Sequence, residues 1–181
     1  MINIKKLSIP EVLLIEPQIF NDDRGFFFEP FNQNEFEKAI KRKVNFVQDN
    51  QSYSKHGVLR GLHMQSYPFE QAKLVRVLSG EIYDVAVDIR EKSSTYGQWV
   101  GGYLSSKNFK QLWIPEGFLH GFVVLSESAI VLYKTNNFYS KENEISIRWD
   151  DEFLNIKWPI DDIDILISEK DANAPKIKDL I

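Results

Sequence analysis

The sequence predicts an all-β protein, a sandwich or barrel built from short strands. Apolar and β-branched runs recur from residue 46 onward, and turn residues interrupt them at short intervals. Hydrophobic residues make up 43% of the 181-residue chain and aromatic residues 13%, which is enough to fill a sizeable core. Only one stretch has a convincing helical pattern, so we expect a few short helices at the periphery.

Length and composition limit the domain count and the class of function. We expect one domain over residues 1–181, with N-terminal and C-terminal arms and no linker or repeat. The net charge of -4 argues against a nucleic-acid or anionic-membrane binder. The chain has no cysteine, which excludes disulfides and thiolate chemistry. No apolar run resembles a signal peptide or a membrane span, so we expect a cytoplasmic protein.

Turn residues and periodicity predict the elements in chain order. An apolar run at residues 12–16 precedes a turn at residues 21–25. Asn32 fits a helix N-cap with Glu35 three residues later, and Phe36 and Ile40 share one face of the helix that follows. The later strands are predicted at residues 46–53, 58–65, 73–78, 82–89, 98–104, 111–114, 121–125, 130–135 and 145–149. Residues 161–181 are polar and are expected to form an arm or short helix over the body.

The strand predicted at residues 58–65 carries Arg60, Gly61 and His63. On a regular strand Arg60 and His63 face opposite sides, because side chains alternate. A glycine inside a strand often marks a bulge, and a bulge at Gly61 would turn both side chains toward one cavity. The result would be a fixed cation beside a titratable imidazole. The alternative is a core histidine and a surface arginine.

Other polar residues fall on predicted strands and allow two interpretations. Lys73 is in line with two valines and points either inward or into solvent at the strand end; the residues alone favour solvent. The strand at residues 82–89 has a mixed face, with Asp84 on it, that either lines a polar cavity or is solvated. His120 follows a turn, and Tyr133 and Tyr139 are pocket candidates whose default role is packing.

The histidine count argues against a metal site. The chain has three histidines, at positions 56, 63 and 120. A metal-binding barrel of this kind needs a tight cluster, usually two neighbouring histidines and a carboxylate. Met64 and Gln65 follow His63, so the second ligand is missing.

Six short motifs follow one another along the chain. They are Gly-Phe-Phe-Phe-Glu from residue 25, Phe-Val-Gln-Asp-Asn from residue 46, Arg-Gly-Leu-His-Met-Gln from residue 60, Lys-Leu-Val-Arg-Val from residue 73, Pro-Glu-Gly-Phe from residue 115 and Leu-Tyr-Lys-Thr from residue 132. Together they resemble the dTDP-4-dehydrorhamnose 3,5-epimerases. The motifs appear in the order found in that family and cover about residues 8–175, which makes the resemblance specific. The resemblance implies a cupin-type jelly roll that works as a homodimer, without metal or organic cofactor.

The resemblance also implies a reaction. Such enzymes invert C3 and C5 of a nucleotide-linked 4-keto-6-deoxyhexose in deoxysugar synthesis, converting dTDP-4-dehydro-6-deoxyglucose to dTDP-4-dehydrorhamnose. By resemblance His63 is the general base, Asp171 pairs with it, Tyr133 is the acid on the opposite face of the sugar, and Lys73 lies beside the enolate. The positions that match substrate contacts are Arg24, Glu29, Gln48, Asn50, Arg60, His120, Tyr139 and Glu144, with Tyr139 stacking on the nucleotide base.

The chemistry needs groups of these types. The protons at C3 and C5 are acidic only because an enolate can form at C4, and a histidine titrates near the operating pH. A carboxylate fixes the tautomer of that histidine, and a cation stabilises the enolate oxygen. Inversion needs a second acid on the other face, and arginines suit a pyrophosphate.

The sequence departs from the family at three places and leaves alternatives open. Met64 stands where many members have an aromatic residue, Phe138 where a tyrosine is common, and the link at residues 66–71 is unusual. The alternatives are a single-site epimerase, a 3,4-ketoisomerase of a nucleotide ketosugar, or a non-catalytic sugar-nucleotide-binding cupin.

Overall fold

Two antiparallel sheets face each other in a sandwich, which confirms the all-β prediction. The computed structural model describes residues 2–179. The strands are β1 Ile2–Lys6, β2 Leu13–Pro17, β3 Phe20–Asp22, β4 Gly25–Phe27, β5 Gln48–Lys55, β6 Leu59–Gln65, β7 Lys73–Ser79, β8 Glu81–Asp88, β9 Trp99–Ser105, β10 Gln111–Ile114, β11 Phe118–Val124, β12 Ser128–Thr135 and β13 Glu144–Ser146. The helices are α1 Gln33–Ile40, α2 Glu169–Ala172 and 3-10 turns at Lys141–Asn143 and Ile177–Asp179.

The sheets have six and five strands, and a separate hairpin lies outside them. The six-stranded sheet has the order β1-β2-β10-β7-β12-β5, and the five-stranded sheet has the order β13-β6-β11-β8-β9. Strands β3 and β4 form the two-stranded hairpin. This arrangement agrees with the jelly roll that the family resemblance implies.

Apolar side chains from both sheets fill the space between them. Val75 and Val77 of β7 meet Ile82 and Ala86 of β8 in this central cluster. The opposite faces of β7 and β8 are also covered. Leu74 packs under the aromatic residues around α1, and Val85 packs under the C-terminal third of the chain. Strands covered on both faces explain why these runs are almost continuously apolar.

The helix begins where the sequence predicts it. Asn32 is the N-cap, and its side-chain oxygen accepts a hydrogen bond from the Glu35 amide at 3.3 Å. Phe36 is the buried residue of the helix and contacts Phe31, Phe46 and Trp113 with ring centroids 5.2–5.6 Å apart. The strand predicted from residue 46 therefore begins later, at Gln48, because Phe46 packs under α1 instead of pairing.

Two other elements differ from the prediction. Strand β1 was not expected and pairs along the edge with β2. Strand β11 begins at Phe118, so His120 lies within a strand and does not end a turn. Residues 161–179 form an arm with one parallel bridge to Val58 and the short helix α2, and the two residues beyond it lie outside the described chain. No helix among residues 2–179 is long and apolar enough to cross a membrane.

The predicted bulge at Gly61 is present. Strand β6 pairs with β11 through His63 and His120 and again through Arg60 and Phe122, so β6 holds one more residue than β11 between the two pairs. Gly61 has φ of +115°, and a Cβ built on it would lie 2.7 Å from the Gly121 Cα. As a consequence Arg60 and His63 line the same cavity.

Replacing Gly61 tests how much the fold depends on this close approach. Gly61→Ala should lower the free energy of unfolding more than Gly25→Ala, although both glycines have positive φ. The backbone conformation alone costs about 1–3 kcal/mol for an L residue, and at Gly61 overpacking adds about 1–3 kcal/mol. Gly25 is the matched control because a Cβ there meets no atom within 4 Å. Equal losses in urea unfolding would contradict the steric argument.

Candidate active site

A cavity of about 510 Å³ opens between the two sheets. Strands β6 and β11 form one wall, and β5, β7 and β12 form the other. The C-terminal arm and the β12–β13 connection surround the mouth. The polar residues that line it are Ser52, Arg60, His63, Gln65, Gln71, Lys73, His120, Tyr133, Tyr139, Glu144, Ser168, Lys170 and Asp171.

His63 and Asp171 form a close pair on the wall made by β6. The His63 Nε2 lies 2.6 Å from the Asp171 Oδ1, and the second Asp171 oxygen accepts a hydrogen bond from the Gly61 amide at 3.3 Å. Asp171 is buried, whereas the His63 side chain is 28% exposed toward the cavity. Burial opposes ionisation of Asp171 most strongly, but hydrogen bonds from His63, Gly61 and Ser168 leave its pKa below the usual value. Asp171 is therefore a carboxylate that accepts from Nε2–H.

Lys73 points inward, so the expectation of a solvent-exposed lysine is wrong. Its side chain lies on the inner face with Val75, and the residue is 7% exposed. The ammonium donates a hydrogen bond to the His63 carbonyl at 3.2 Å. Burial lowers the pKa of Lys73 from 10.5 to about 8, while Asp84 and Glu144 oppose that change. The acceptor of its hydrogen bond, the His63 carbonyl, belongs to the opposite sheet, so the pattern of the Lys73 strand alone did not indicate burial.

A second histidine–carboxylate pair lies deeper in the same wall. The His120 Nε2 is 2.7 Å from Asp84 Oδ1, and Asp84 is completely buried. Burial lowers the pKa of His120, and the nearby Lys73 acts in the same direction. A neutral ring that donates Nε2–H to Asp84 keeps its lone pair on Nδ1. Nδ1 has no hydrogen-bond partner among residues 2–179, so it is the nitrogen that can accept a hydrogen bond from a ligand in the cavity.

Tyr133 and Arg60 stand on opposite sides of the cavity. Tyr133 belongs to β12, and its ring lies 6.3 Å from that of His120, measured between centroids. Burial raises the pKa of Tyr133, and the Arg60 guanidinium opposes that rise. The Arg60 Nε donates to Ser54 Oγ at 3.0 Å, which fixes the guanidinium near the outer edge of the cavity.

Glu144 connects three elements at the cavity mouth. Its Oε2 accepts a hydrogen bond from the Tyr139 hydroxyl at 3.0 Å and pairs with the Lys170 ammonium at 2.6 Å. Burial disfavours the Glu144 charge, but Lys170 and Tyr139 leave its pKa lowered. The Tyr139 ring itself is 52% exposed, so its face is free for stacking.

Gln48 and Asn50 extend the wall along β5. They alternate with exposed residues and lie on the same face as Ser52, which lines the cavity. Asn50 is directly opposite Tyr133 in the β5–β12 ladder, and Gln48 donates a hydrogen bond to its side-chain oxygen at 2.8 Å.

Arg24 and Glu29 are not brought to this cavity. Arg24 lies in the turn of the β3–β4 hairpin with its side chain 89% exposed and paired with Asp22. Phe28, just after the hairpin, lies 5.6 Å from the Arg76 guanidinium, which is on the outer face of β7. The six-stranded sheet thus separates both residues from the cavity of their own chain.

Sequence reasoning missed two groups that contribute to the site. Asp84 was noticed on a mixed strand face but was not assigned to the site, because its partner His120 is 36 residues away. Lys170 is adjacent to Asp171, and this adjacency at the start of a short helix was the signal available. Within residues 2–179 no three histidine, aspartate or glutamate side chains cluster in a way that could hold a metal ion.

The buried charge of Lys73 should make stability depend on pH. The unfolded chain binds more protons than the folded chain between about pH 8 and pH 10.5, so stability rises with pH across that window. Near neutral pH the ammonium costs on the order of 3 kcal/mol. Lys73→Met should therefore raise the free energy of unfolding by about 2 kcal/mol near pH 7, with a smaller gain near pH 9.5.

Urea unfolding at the two pH values measures this effect. The exposed Lys107→Met is the control and should change stability little at either pH. A gain from Lys73→Met that does not decrease at the higher pH would refute the assignment of the cost to the Lys73 charge.

Comparisons with known proteins agree with the geometry. The family model described as dTDP-4-dehydrorhamnose 3,5-epimerase matches residues 6–179. The enzyme of that name from Shigella flexneri is 58% identical over 177 residues, which covers 98% of this chain and 97% of the relative. The crystal structure of a dTDP-6-deoxy-D-glucose-3,5-epimerase from Legionella pneumophila, in complex with dTDP-4-keto-L-rhamnose, superposes with a TM-score of 0.95 at 49% identity, covering 98% of this chain and 94% of that one.

A more distant relative has a narrower activity. A 3'-monoepimerase from Streptomyces bikiniensis, in complex with dTDP-quinovose, has a TM-score of 0.89 at 33% identity and covers 94% of this chain and 86% of its own. The family match over nearly the whole chain and the high identity to the Shigella flexneri enzyme agree with the six sequence motifs. The chain belongs to the dTDP-4-dehydrorhamnose 3,5-epimerase family.

Proposed function

We propose that the cavity between the sheets inverts C3 and C5 of a dTDP-linked 4-keto-6-deoxyhexose, with His63 as base and Tyr133 as acid. The observation that carries the proposal is their position on opposite walls. His63 projects from the five-stranded sheet and Tyr133 from the six-stranded sheet, which also carries Lys73. A sugar held in the cavity is exposed to a base on one face and an acid on the other.

Proton removal falls to His63. Asp171 accepts Nε2–H, so the lone pair of the neutral ring is on Nδ1, which has no hydrogen-bond partner among residues 2–179. Nδ1 takes the proton from the carbon next to the C4 carbonyl, and the carbon–hydrogen electron pair forms the enolate. Asp171 then stabilises the imidazolium.

Lys73 stabilises the enolate oxygen. Its burial keeps water away, and a cation in such a site stabilises developing charge far better than in solvent. Reprotonation by Tyr133 from the other face inverts the carbon. A raised pKa keeps the Tyr133 hydroxyl protonated and able to donate.

His120 and the mouth residues hold the substrate. With Nε2–H given to Asp84, the Nδ1 atom of His120 is an acceptor for a sugar hydroxyl. Arg60 suits the pyrophosphate, and Gln48 and Asn50 extend the polar wall beside Tyr133. Tyr139 presents its ring to the nucleotide base, and Glu144 holds it in place.

We further propose a homodimer in which Arg24 and Glu29 act on the cavity of the partner chain. The cavity of one chain has three cations, Arg60, Lys73 and Lys170, against the carboxylates Glu144 and Asp171 and the adjacent Asp84. A dianionic ligand needs further positive charge. The hairpin offers the exposed Arg24 together with Phe20, Phe26 and Phe27, whose rings are 53–68% exposed. Exposed aromatic residues of this kind are typical of an interface.

Two other expectations remain proposals. We propose that residues 1–181 act as one domain with terminal arms, and that the enzyme works in the cytoplasm.

The rival functions are a single-site epimerase and a 3,4-ketoisomerase of a nucleotide ketosugar. The first is favoured by the likeness to a 3'-monoepimerase. Retention of His63, Tyr133 and Lys73 argues against a non-catalytic sugar-nucleotide-binding cupin.

Deuterium exchange tests the reaction and the two roles together. The chain is incubated with dTDP-4-keto-6-deoxyglucose in D₂O and followed by proton NMR and mass spectrometry. His63→Ala should lower exchange at both C3 and C5 by roughly 10²–10⁴-fold, because the base is lost. Tyr133→Phe should still incorporate deuterium but form less inverted product. His56→Ala is the control, since His56 is exposed and lies outside the cavity lining.

The outcomes separate the candidate functions. Deuterium at both carbons with inverted product supports the 3,5-epimerase, and deuterium at one carbon supports a single-site enzyme. Wild-type exchange by His63→Ala would remove His63 as the base. An absence of exchange by the wild-type chain would favour the non-catalytic alternative.

Mixed dimers test whether the β3–β4 hairpin of one chain acts at the cavity of its partner. Arg24→Ala and His63→Ala chains, each poorly active alone, are denatured, mixed and refolded together. If Arg24 acts in trans, each heterodimer has one cavity with an intact His63 and an intact partner Arg24, and activity returns. If Arg24 acts within its own chain, the mixture stays as inactive as the separate variants.

A further inference from the structure

We propose that Asp151, a carboxylate outside the cavity, is a positioning residue that holds Asp171 at hydrogen-bond distance from His63. The inference rests on the proposed role of the His63–Asp171 pair in proton removal. Asp151 has no part in the substrate contacts or proton transfers described above, and it is absent from the cavity lining.

Asp151 is buried and is held by backbone amides. It is 3% exposed, and its Oδ1 accepts hydrogen bonds from the amides of Phe153 at 2.9 Å and Leu154 at 3.1 Å. Its Oδ2 accepts the Ile177 amide at 2.9 Å. None of the ion pairs found in residues 2–179 includes Asp151. The three amide donors stabilise the buried anion and tie two separate stretches of the chain to it, which is the task that we assign to Asp151.

That task follows from how Asp171 is held. Helix α2 has four residues, Glu169–Ala172, and a helix this short has no stability of its own. Its position therefore depends on tethers at both ends. Upstream, Leu166 exchanges backbone hydrogen bonds with Gly57 and Leu59, each 2.9 Å long.

Downstream of α2, the tethers come from the loop that follows β13. The Arg148 amide donates to the Pro175 carbonyl at 3.0 Å. Asp151 binds the Ile177 amide, and the Ile177 side chain is 4% exposed in the core under the five-stranded sheet. Asp151 thus anchors the main chain just after α2 from the facing loop, next to the pair that Glu152 forms with the Lys176 ammonium at 3.2 Å.

The same loop is fixed to the strand that carries His63. Leu62 and Ile147 donate hydrogen bonds to each other's carbonyls, both 3.0 Å long, and Leu62 is adjacent to His63. The connections form a ring that runs from His63 through Ile147 and Asp151 to Ile177 and back through Asp171. The distance between imidazole and carboxylate is therefore set by this ring and not only by the hydrogen bond between them.

Asp151→Asn opens the ring with little change in volume. The amide keeps one acceptor oxygen for the amides of Phe153 and Leu154 and turns an NH₂ group toward the Ile177 N–H, which then loses its partner. We expect kcat for C3 and C5 exchange to fall roughly 10- to 100-fold, as for small misplacements of a reacting group. KM should change less than kcat, because the stacking ring and Arg60 are untouched.

A double-mutant cycle with Asp171→Ala separates positioning from general damage. If Asp151 acts through Asp171, Asp151→Asn should cause no further loss of kcat in the Asp171→Ala background. Losses that multiply would show that Asp151 acts elsewhere and would overturn the inference. Asp150→Asn is the matched control, since Asp150 is the exposed neighbour paired with Arg148 at 2.7 Å, and its kcat should equal the wild-type value.

Two further measurements keep the outcomes distinguishable. Thermal unfolding of each variant reports whether the chain is folded at the assay temperature. If Asp151→Asn fails to fold, Ile177→Ala loosens the same anchor and should show the same loss and the same cycle. If Asp171→Ala itself leaves exchange unchanged, the proposed role of the His63–Asp171 pair in proton removal is wrong. If Asp171→Ala lowers exchange but neither loosening variant does, the positioning inference is wrong.

Discussion

The close approach of two glycines on neighbouring strands determines the geometry of the site. A Cβ on Gly61 would lie 2.7 Å from the Gly121 Cα, and a Cβ on Gly121 would lie 2.8 Å from the Arg60 carbonyl. Only glycine fits at both positions, and the contact accommodates the extra residue in β6. Without that residue, the alternation of a regular strand would turn Arg60 and His63 to opposite sides. The bulge thus creates a cavity wall that carries both a guanidinium and an imidazole.

Features set by a few neighbouring residues were predictable from the sequence. The Asn32 cap is one, because its acceptor and the Glu35 amide are three residues apart. The bulge at Gly61 is another, because a glycine within a strand is itself the signal. Most strand positions followed from turn residues. Strand β1 did not, because edge pairing with β2 depends on a partner whose place in the sheet is set by the whole fold.

Features set by distant contacts were not predictable from the residues alone. The residues alone favoured solvent for Lys73, but the opposite sheet covers its side chain and supplies the His63 carbonyl as a hydrogen-bond acceptor. Asp84 was seen on a mixed face without a partner, because the register of β8 against β11 brings His120 to it. Only the family resemblance pointed to the pairing of Asp171 with His63, since nothing in the segment around Asp171 indicates a partner 108 residues away.

The two histidine–carboxylate pairs show how one combination of residues serves two purposes. His63 and His120 are directly opposite each other in the β6–β11 ladder, and each places Nε2 against an aspartate at 2.6–2.7 Å. The His63 side chain is 28% exposed, and its partner Asp171 lies in the C-terminal arm. The His120 side chain is 7% exposed, and its partner Asp84 lies in β8 of the sheet itself. Burial lowers the pKa of His120. In the proposed mechanism the open pair takes the substrate proton and the buried pair binds the substrate, so environment rather than residue type distinguishes the two proposed roles.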